Sequence, residues 1–600
     1  MREYHPDLRS FLDALRREGD LVAIDAPVDP RLEVAEIHRR VIAAGGPALL
    51  FTKVGSSSFP VVTNLFGTAK RIEMAFGSRP GELIRSAAGL PDRIFPPTLG
   101  RLWSERGLLG SMAKVGTSRR TSGPVLEVRE PAVDLTRLPV LTTWAEDGGP
   151  FLTLPLVYTE HPEGHGHNLG IYRMQIHDAA RAGIHWQIGK GGGFHYNVAE
   201  SLGKPLPLNV FLGGPPALLL GAIAPLPENV PELLLASLAL GKRLPLAANP
   251  DGPLPLAADA EFALVGEVPP RERSPEGPFG DHYGYYSLRH DYPVFHCRAL
   301  FHRKDAIYPA TVVGKPRQED FFLGDYIQEL LSPLFPRVMP QVVDLWSYGE
   351  TGYHSLSAAV VRQRYKREAM VAAFRILGEG QLSLTKFLLV LDRPMDLRNF
   401  PAVLEHVLER ADFRSDLYVF GNLSMDTLDY TGPKVNEGSK GVLLGVGDPI
   451  RALPREFRGE LPPGFPEARV FCGGCLVVSG PSAAEDPGAP VRLARGPALA
   501  EWPLVVLVDD AEKATRSPIN FLWTTFTRFE PAADVHAAEV QTIRRHVSFT
   551  PPVVIDSRLK PGFPRELSCH PETAAAVTRR WREYFPGGMA MGDSERGHLS

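Results

Sequence analysis

Leu8, Phe11, Leu12 and Leu15 recur at i, i+3, i+4 and i+7, which predicts an amphipathic helix over 7–18 ending near Gly19. A second helix follows Asp29-Pro30, and the apolar runs Ala48 to Phe51 and Pro60 to Asn64 read as buried strands, so the chain opens as α/β. Residues 80 to 125 mix Pro, Gly and Arg with short helical patterns and read as a connection. From Pro124 to about Phe301, β-type runs punctuated by Gly and Pro predict a barrel-like or sandwich domain. Past about residue 320 helices alternate with strands again. Lys386 to Phe420 spells strand, turn, helix, strand, and Pro503 to Val540 repeats that order with similar spacing, Asp392 matching Asp509 and Asp416 matching Asp534. We expect an internal duplication there. Pro481 to Pro490 reads as an exposed loop, and the polar, Gly-rich stretch from Pro586 to Ser600 as a frayed tail. The expected fold class is α+β multidomain: an N-terminal α/β domain with its connection over 1–123, a central β domain over 124–320, a C-terminal α/β domain over 321–585, and a flexible tail over 586–600.

Length agrees, since 600 residues suggest roughly three to five domains. An apolar fraction of 44% and a charged fraction of 22% are those of an ordinary globular chain. The formal charge of −4, from 65 basic and 69 acidic residues, offers no global field for nucleic acid or an anionic membrane, so small-molecule chemistry is the default. The N-terminus is charged and amphipathic rather than signal-like, and the longest apolar run, Ala217 to Ala224, is too short to span a bilayer. Four cysteines argue against a disulfide framework, and a cytoplasmic protein is expected.

Three stretches carry candidate chemistry. The first, His167 to Lys190, holds an amide, a guanidinium and an imidazole, at Asn168, Arg173 and His185, among strand-like apolar residues. Leu152 to Thr159 and Leu169 to Ile176 read as a hairpin with a long loop. Positions five apart on a regular strand face opposite ways, so Asn168 and Arg173 act together only if the backbone is irregular, and a bulge at Gly170 is the expected place. The second is Pro275 to Tyr286, where Glu276 and Asp281 share a loop whose glycines and prolines let both carboxylates converge; near an arginine their pKa values would be pushed apart. In the third, Glu228 and Glu232 open a helical run, and a first-turn glutamate already complements the helix dipole. Asn168, His185 and Glu232 together make an oxygen-rich donor set with one nitrogen, suited to manganese or magnesium. Cys472-Gly473-Gly474-Cys475 reads as a β-hairpin rather than a zinc knuckle, and His161, His165 and His167 as a solvated turn. No dinucleotide fingerprint or P-loop is present.

Asn168-Leu-Gly-Ile-Tyr-Arg173, Glu232 and Glu276-Gly-Pro-Phe-Gly-Asp281, taken in order, resemble the UbiD-like decarboxylases, which use prenylated FMN. The likeness begins with LVAIDAPVDPRLEVAEIHRR and Asn64 to Thr68 and continues to about Gly441. The resemblance implies a central split β-barrel that binds prenylated FMN and a C-terminal domain that mediates homo-oligomerisation. It implies Arg173, Glu276 and Asp281 as the catalytic network, and Asn168, His185 and Glu232 as ligands of Mn2+ (or Mg2+). The cofactor-binding set it implies adds Thr153, Ile171, Tyr172 and Arg173, Ala224 and Pro225 beside a K+ held by carbonyls around Ala222 and Ala224, and Lys440, with Lys560 a weaker competitor for the phosphate. The reaction implied is reversible, non-oxidative decarboxylation of an aromatic acid with release of CO2. A separate flavin prenyltransferase would supply the cofactor, and peripheral membrane association is expected if the acid carries a prenyl chain. Asp281 in place of Glu favours a hydroxylated acid, and the sequences LWTTFTRFEPAADVHA and PPVVIDSRLKP resemble the long menaquinone-pathway branch. Two alternatives stay open: an FMN-dependent oxidoreductase, and a non-catalytic member of a carboxylase assembly.

Overall fold

The computed structural model describes residues 4–594 except 108–109, 111–114, 188–190, 227–230 and 316. The chain forms two compact units, one running to Leu331 and resuming at Glu566, the other comprising Ser332–Arg565. No helix among the described residues is long and apolar enough to cross a membrane.

In the first unit the expected N-terminal elements form as helices Leu8–Arg17 and Glu33–Ala43 and strands Leu21–Ile24, Ala48–Phe51 and Val61–Thr63. Asp7 caps the first helix, accepting from Ser10 N at 2.9 Å, and Leu8, Phe11, Leu12 and Leu15 are all buried. Strand Tyr308–Pro309, from beyond the β domain, completes the N-terminal sheet beside Val61–Thr63. One hydrophobic core contains Ile24, Val34 and Phe51 together with Leu152, Val157 and Phe262. The two domains expected over 1–123 and 124–320 are therefore one packed body.

The ten-stranded central sheet runs from strand Phe151–Leu152 at one end to strand His167–Ile171 at the other. Strand Met174–Ile176 lies next to the first end, yet only Tyr172 and Arg173 separate it in sequence from His167–Ile171. Six strand spacings of about 4.8 Å would hold these two strands about 29 Å apart in a flat sheet, whereas the two-residue link reaches only about 11 Å. The sheet must therefore curl until its ends meet, and the chain crosses the split. Thr153 to Pro155 make the same crossing between Phe151–Leu152 and Leu156–Glu160. This crossing replaces the bulge expected at Gly170. The ladder from Leu156↔Ile171 to Glu160↔His167 is regular, and the irregularity falls at Tyr172-Arg173. Gly170 has another role, since a Cβ there would stand 2.6–2.7 Å from the Tyr172 ring, which folds back over it.

The second unit holds two five-stranded sheets with the same strand order and directions. Strands Val342–Ser347, Leu356–Val361, Phe387–Leu391, Glu437–Gly445 and Leu417–Ser424 pair antiparallel, parallel, parallel and antiparallel. Strands Glu467–Cys472, Cys475–Ser479, Leu504–Val508, His546–Asp556 and Val535–Ile543 repeat the pattern. The duplication thus covers a whole sheet rather than only the strand-helix-strand unit expected. The two sheets share one core, in which Phe400 meets Phe471 and Phe521 at ring distances of 6.2 and 6.0 Å. Their contacts are reciprocal: Ala532 N donates to Ser439 Oγ at 2.9 Å and Phe549 N to Phe413 O at 3.4 Å. Cys472 and Cys475 face each other across the expected hairpin, and the four cysteines are buried and form no disulfide. The expected loop over 481–490 ends in helix Ala489–Ala494, whose Pro490 is buried.

The C-terminal boundary is corrected. Helix Pro571–Tyr584 belongs to the first unit, where Val577, Trp581 and Tyr584 join the core beside Val34, Ile37 and Val41. The described part of the expected tail docks too, with Gly592 N donating to Arg40 O at 3.1 Å and Ser594 Oγ to Glu36 Oε1 at 2.8 Å. Residues 595–600 lie outside the described residues.

Candidate active site

Arg173 stands in the crossing link with its guanidinium buried. Its Nε and Nη2 donate to Glu276 Oε1 and Oε2 at 2.7 and 3.0 Å, its Nη1 to Asp281 Oδ2, and Nη2 also to Ser287 Oγ at 3.0 Å. The guanidinium lies 4.6 Å from the centre of the Phe279 ring. Glu276 ends strand Arg273–Glu276 and is fully buried, and Asp281 lies five residues on in the same loop. That loop can hug the fold because Gly280 has no side chain: a Cβ there would meet the Trp144 ring at 2.0 Å. Burial raises both carboxyls, but the Arg173 charge outweighs it, holding Glu276 down at about 2 and Asp281 below the usual carboxylate range. Both are ionised in this arrangement.

Two histidines flank the pair. His185 Nδ1 lies 3.1 Å from Glu276 Oε2 and the His185 amide donates to Arg173 O at 3.1 Å, while His282 Nδ1 lies 2.6 Å from Asp281 Oδ1. Burial and the neighbouring guanidinium push His185 toward its neutral form. Its Nε2 is buried without a partner. Glu232, first residue of helix Glu232–Leu240, accepts from Leu169 N at 3.2 Å through Oε2, which brings it beside Asn168. Burial pushes its carboxyl up to about 7. Asn168 Nδ2 donates to the Tyr172 hydroxyl at 3.2 Å, and a Cβ on Gly191 would stand 2.2 Å from Asn168 Oδ1. An orphaned imidazole nitrogen, a carboxylate desolvated without a cation and an amide oxygen under a glycine fit a hard divalent ion. Glu276 holds His185 through Nδ1, which leaves Nε2 as the free donor of the ring; a carboxylate on one ring nitrogen is the usual way an imidazole is oriented to ligate through the other.

The other expected cofactor residues are spread more widely. Thr153 is buried in the second crossing link and its Oγ1 accepts from Thr311 N at 3.0 Å. Ile171 ends its strand, and Tyr172, buried, accepts from Gly192 N at 3.1 Å. Ala224 O accepts from Leu226 N at 2.8 Å and Pro225 is exposed; Glu228 lies outside the described residues. Lys440 and Lys560 both belong to the second unit. Lys440 Nζ donates to Thr385 O at 2.9 Å, with burial lowering its pKa to about 8. Lys560 Nζ pairs with Asp534 at 3.2 Å and donates to Arg528 O at 2.9 Å. Sequence reasoning missed Ser287, His282, Phe279 and Gln175, whose Oε1 accepts from Gly277 N at 2.8 Å. Phe279, inside the motif from Glu276 to Asp281, and His282, directly after it, carried a signal. Desolvation pushes the half-buried Asp320 up to about 6, against the lowering effect of nearby His282.

Three family descriptions match the chain in order: the N-terminal, Rift-related and C-terminal domains of 3-octaprenyl-4-hydroxybenzoate carboxy-lyase, over residues 12–89, 117–316 and 321–445. The chain belongs to the UbiD family. A Chlamydia pneumoniae relative, named as one subunit of a 4-hydroxybenzoate decarboxylase, is 50% identical over 579 residues, covering 96% of this chain and 98% of the relative. A vanillic acid decarboxylase of Sedimentibacter hydroxybenzoicus in closed form shares the fold at 24% identity with a TM-score of 0.66, covering 77% of this chain and 96% of that one. An evolved dimeric form of the UbiD-class enzyme HmfF from Pelotomaculum thermopropionicum, solved with prenylated FMN, gives a TM-score of 0.59 at 24% identity, covering 76% and 97%. The UbiD match ends at residue 445, the last residue of the first sheet in the second unit. The second sheet lies beyond it, and the Chlamydia relative extends across it.

Proposed function

We propose that this UbiD family member is a prenylated-FMN-dependent carboxy-lyase that reversibly decarboxylates a hydroxylated aromatic acid, with a dihydroxynaphthoate-type acid as the first substrate to try. The observation that carries this reading is Arg173 held in the barrel's split between the two carboxylates Glu276 and Asp281. A guanidinium clamped by two acids suits a site that must seize and release a carboxylate, and the sequence carries no dinucleotide fingerprint for hydride exchange with a nicotinamide. The relative's name and the prenylated FMN in the HmfF structure support the same class.

Asn168, His185 and Glu232 would hold Mn2+ (or Mg2+) against the cofactor phosphate, carbonyls around Ala222 and Ala224 a K+, and Thr153 and Lys440 would contact the cofactor. Bound prenylated FMN supplies the electron sink without which losing CO2 from an sp² carbon leaves an unstable carbanion. Arg173 orients the substrate carboxylate through the Nη1 and Nη2 groups that now face Asp281 and Ser287. As the substrate carboxylate takes up that charge, Asp281 loses its counter-ion and gains a like neighbour, so its pKa rises. Asp281 Oδ2 then takes up a proton from solvent and delivers it to carbon after CO2 departs. Glu276 stays ionised and keeps Arg173 and His185 in register. Addition of CO2 runs the same proton transfers backwards.

Anaerobic co-expression with a flavin prenyltransferase, then mass and absorbance of the released cofactor and CO2 release from aromatic acids, tests the proposal. Prenylated FMN bound and CO2 released is the expected result. Plain FMN with NADH oxidation would replace it with an oxidoreductase. Because the Chlamydia relative is named as part of a larger enzyme, one variant is favoured, a catalytic member of a hetero-assembly, in which this chain releases CO2 only when its partners are supplied.

A further inference from the structure

His161, Glu163 and His165 sit in the turn joining strand Leu156–Glu160 to strand His167–Ile171, and one donor atom from each lies within 4.8 Å of the others. The turn gathers them: His161 N donates to Gly166 O and Gly164 N to His161 O, both at 2.9 Å. His165 Nε2 stands 4.0 Å from Glu163 Oε2, and the His161 and His165 rings lie 4.9 Å apart. Behind them His195, from helix Gly191–Ser201, packs edge-on against His161 at 5.3 Å, its Nδ1 2.9 Å from Thr159 Oγ1. The expected solvated turn accounts for the exposure of His165 and Glu163, 71% and 57%, but not for the convergence of their donor atoms.

We propose that this turn is a second metal site, for a divalent transition ion of the zinc class. Two imidazoles and one carboxylate form a zinc donor set, and water in the fourth position completes a tetrahedron. Nitrogen-rich ligation separates it from the oxygen-rich set of Asn168, His185 and Glu232, with which it shares no side chain. Donors about 2.0–2.1 Å from a tetrahedral ion stand roughly 3.3 Å apart, so separations of up to 4.8 Å must close by as much as about 1.5 Å, a movement of the turn in which Gly164 and Gly166, at φ 81° and 115°, carry no side chain to resist. His161 Nδ1 accepts a 3.2 Å bond from Glu163 N, so coordination through that atom gives up a single exposed bond. The ion fastens the hairpin tip beside the helix whose first residue covers Asn168.

The test uses chelator-treated full chain titrated with Co2+ and then Zn2+, followed by visible absorption and calorimetry, for wild type, the double variant H161A/H165A and Glu232→Gln. Wild type is expected to give tetrahedral Co2+ absorption displaced by one equivalent of zinc, Glu232→Gln to keep it, and the double variant to lose affinity at least 100-fold while keeping its metal-free melting temperature. An unchanged spectrum and isotherm in the double variant, or zinc binding by wild type only at millimolar concentration, would overturn the proposal. Neither outcome depends on the decarboxylase reading, because no flavin or acid substrate is involved.

Discussion

Replacing Arg173 by methionine should invert the way stability depends on pH. Held at about 2 rather than its ordinary 4.5, the Glu276 carboxyl contributes about 3 kcal/mol to stability. That contribution is complete above pH 4.5 and is lost as pH falls from about 4.5 to about 2, because there the unfolded chain binds more protons than the folded one. Without the guanidinium, burial, the largest cause acting on both Glu276 and Asp281, pushes them above their unfolded values. The folded chain then binds more protons than the unfolded one, so stability falls as pH rises. His185 faces Glu276 and reinforces this trend, since removing the Arg173 charge takes away one of the two causes that hold its protonated form back. Stranding two buried carboxylates costs about 3–5 kcal/mol at neutral pH, which at about 2.1 cal/mol/K per residue lowers the melting temperature of a unit of roughly 360 residues by about 4–7 °C. Melting temperatures of cofactor-free wild type and Arg173→Met between pH 5 and 8 decide the matter: the variant should recover several degrees on acidification. A melting curve for the variant that parallels wild type across this range would refute the ion-pair reading of the site.

Glu232→Gln should weaken Mn2+ binding at least 100-fold by calorimetry. It should leave the cation-free melting temperature equal or raised, since a carboxyl pushed to about 7 by burial gains nothing from its charge without a cation. Asp281→Asn should keep the flavin yet slow both CO2 release and solvent deuterium exchange into the product by more than about 100-fold, measured with the substrate identified by screening. Gly170→Ala forces the Tyr172 ring aside and should cost roughly 1–3 kcal/mol, seen as a lower melting temperature together with lost flavin retention. Glycine at 170 serving only as a bulge would spare the flavin.

Periodicity made the local elements legible. Leu8 to Leu15, Ala48 to Phe51 and Phe387 to Leu391 follow helical or strand spacing closely enough that neighbours along the chain decide the outcome. The internal repeat was legible because matching aspartates and apolar runs kept their spacing. The motifs around Arg173 and Glu276 marked residues that the fold brings together but not the backbone that joins them: that Tyr172-Arg173 bridges two ends of a sheet depends on strand order, which no local window encodes. Helix Pro571–Tyr584 misled for the same reason. Its apolar stripe of Val577, Trp581 and Tyr584 required a partner, but nothing near it in sequence indicated that the partner was Val34 and Ile37, over 500 residues away. The polar tail after it looked unstructured because its hydrogen bonds go to Arg40 and Glu36 rather than to itself. His161 and His165 lie on an exposed turn, as the surrounding Pro and Gly indicated.

The repeated sheet changes the status of the surface it covers. Phe400, Phe471 and Phe521 meet where one copy lies against the other, a face that a chain with a single copy must leave wet or cover with a separate molecule. Tethering the two halves turns that association into a unimolecular event, set by an effective concentration that dilution does not lower. Identical partners must also change together, whereas covalently joined ones are free to diverge. Lys440, whose register-matched position in the second copy is Pro552, shows how far the two have already drifted: an amine bound to Thr385 O in one copy has no counterpart in the other.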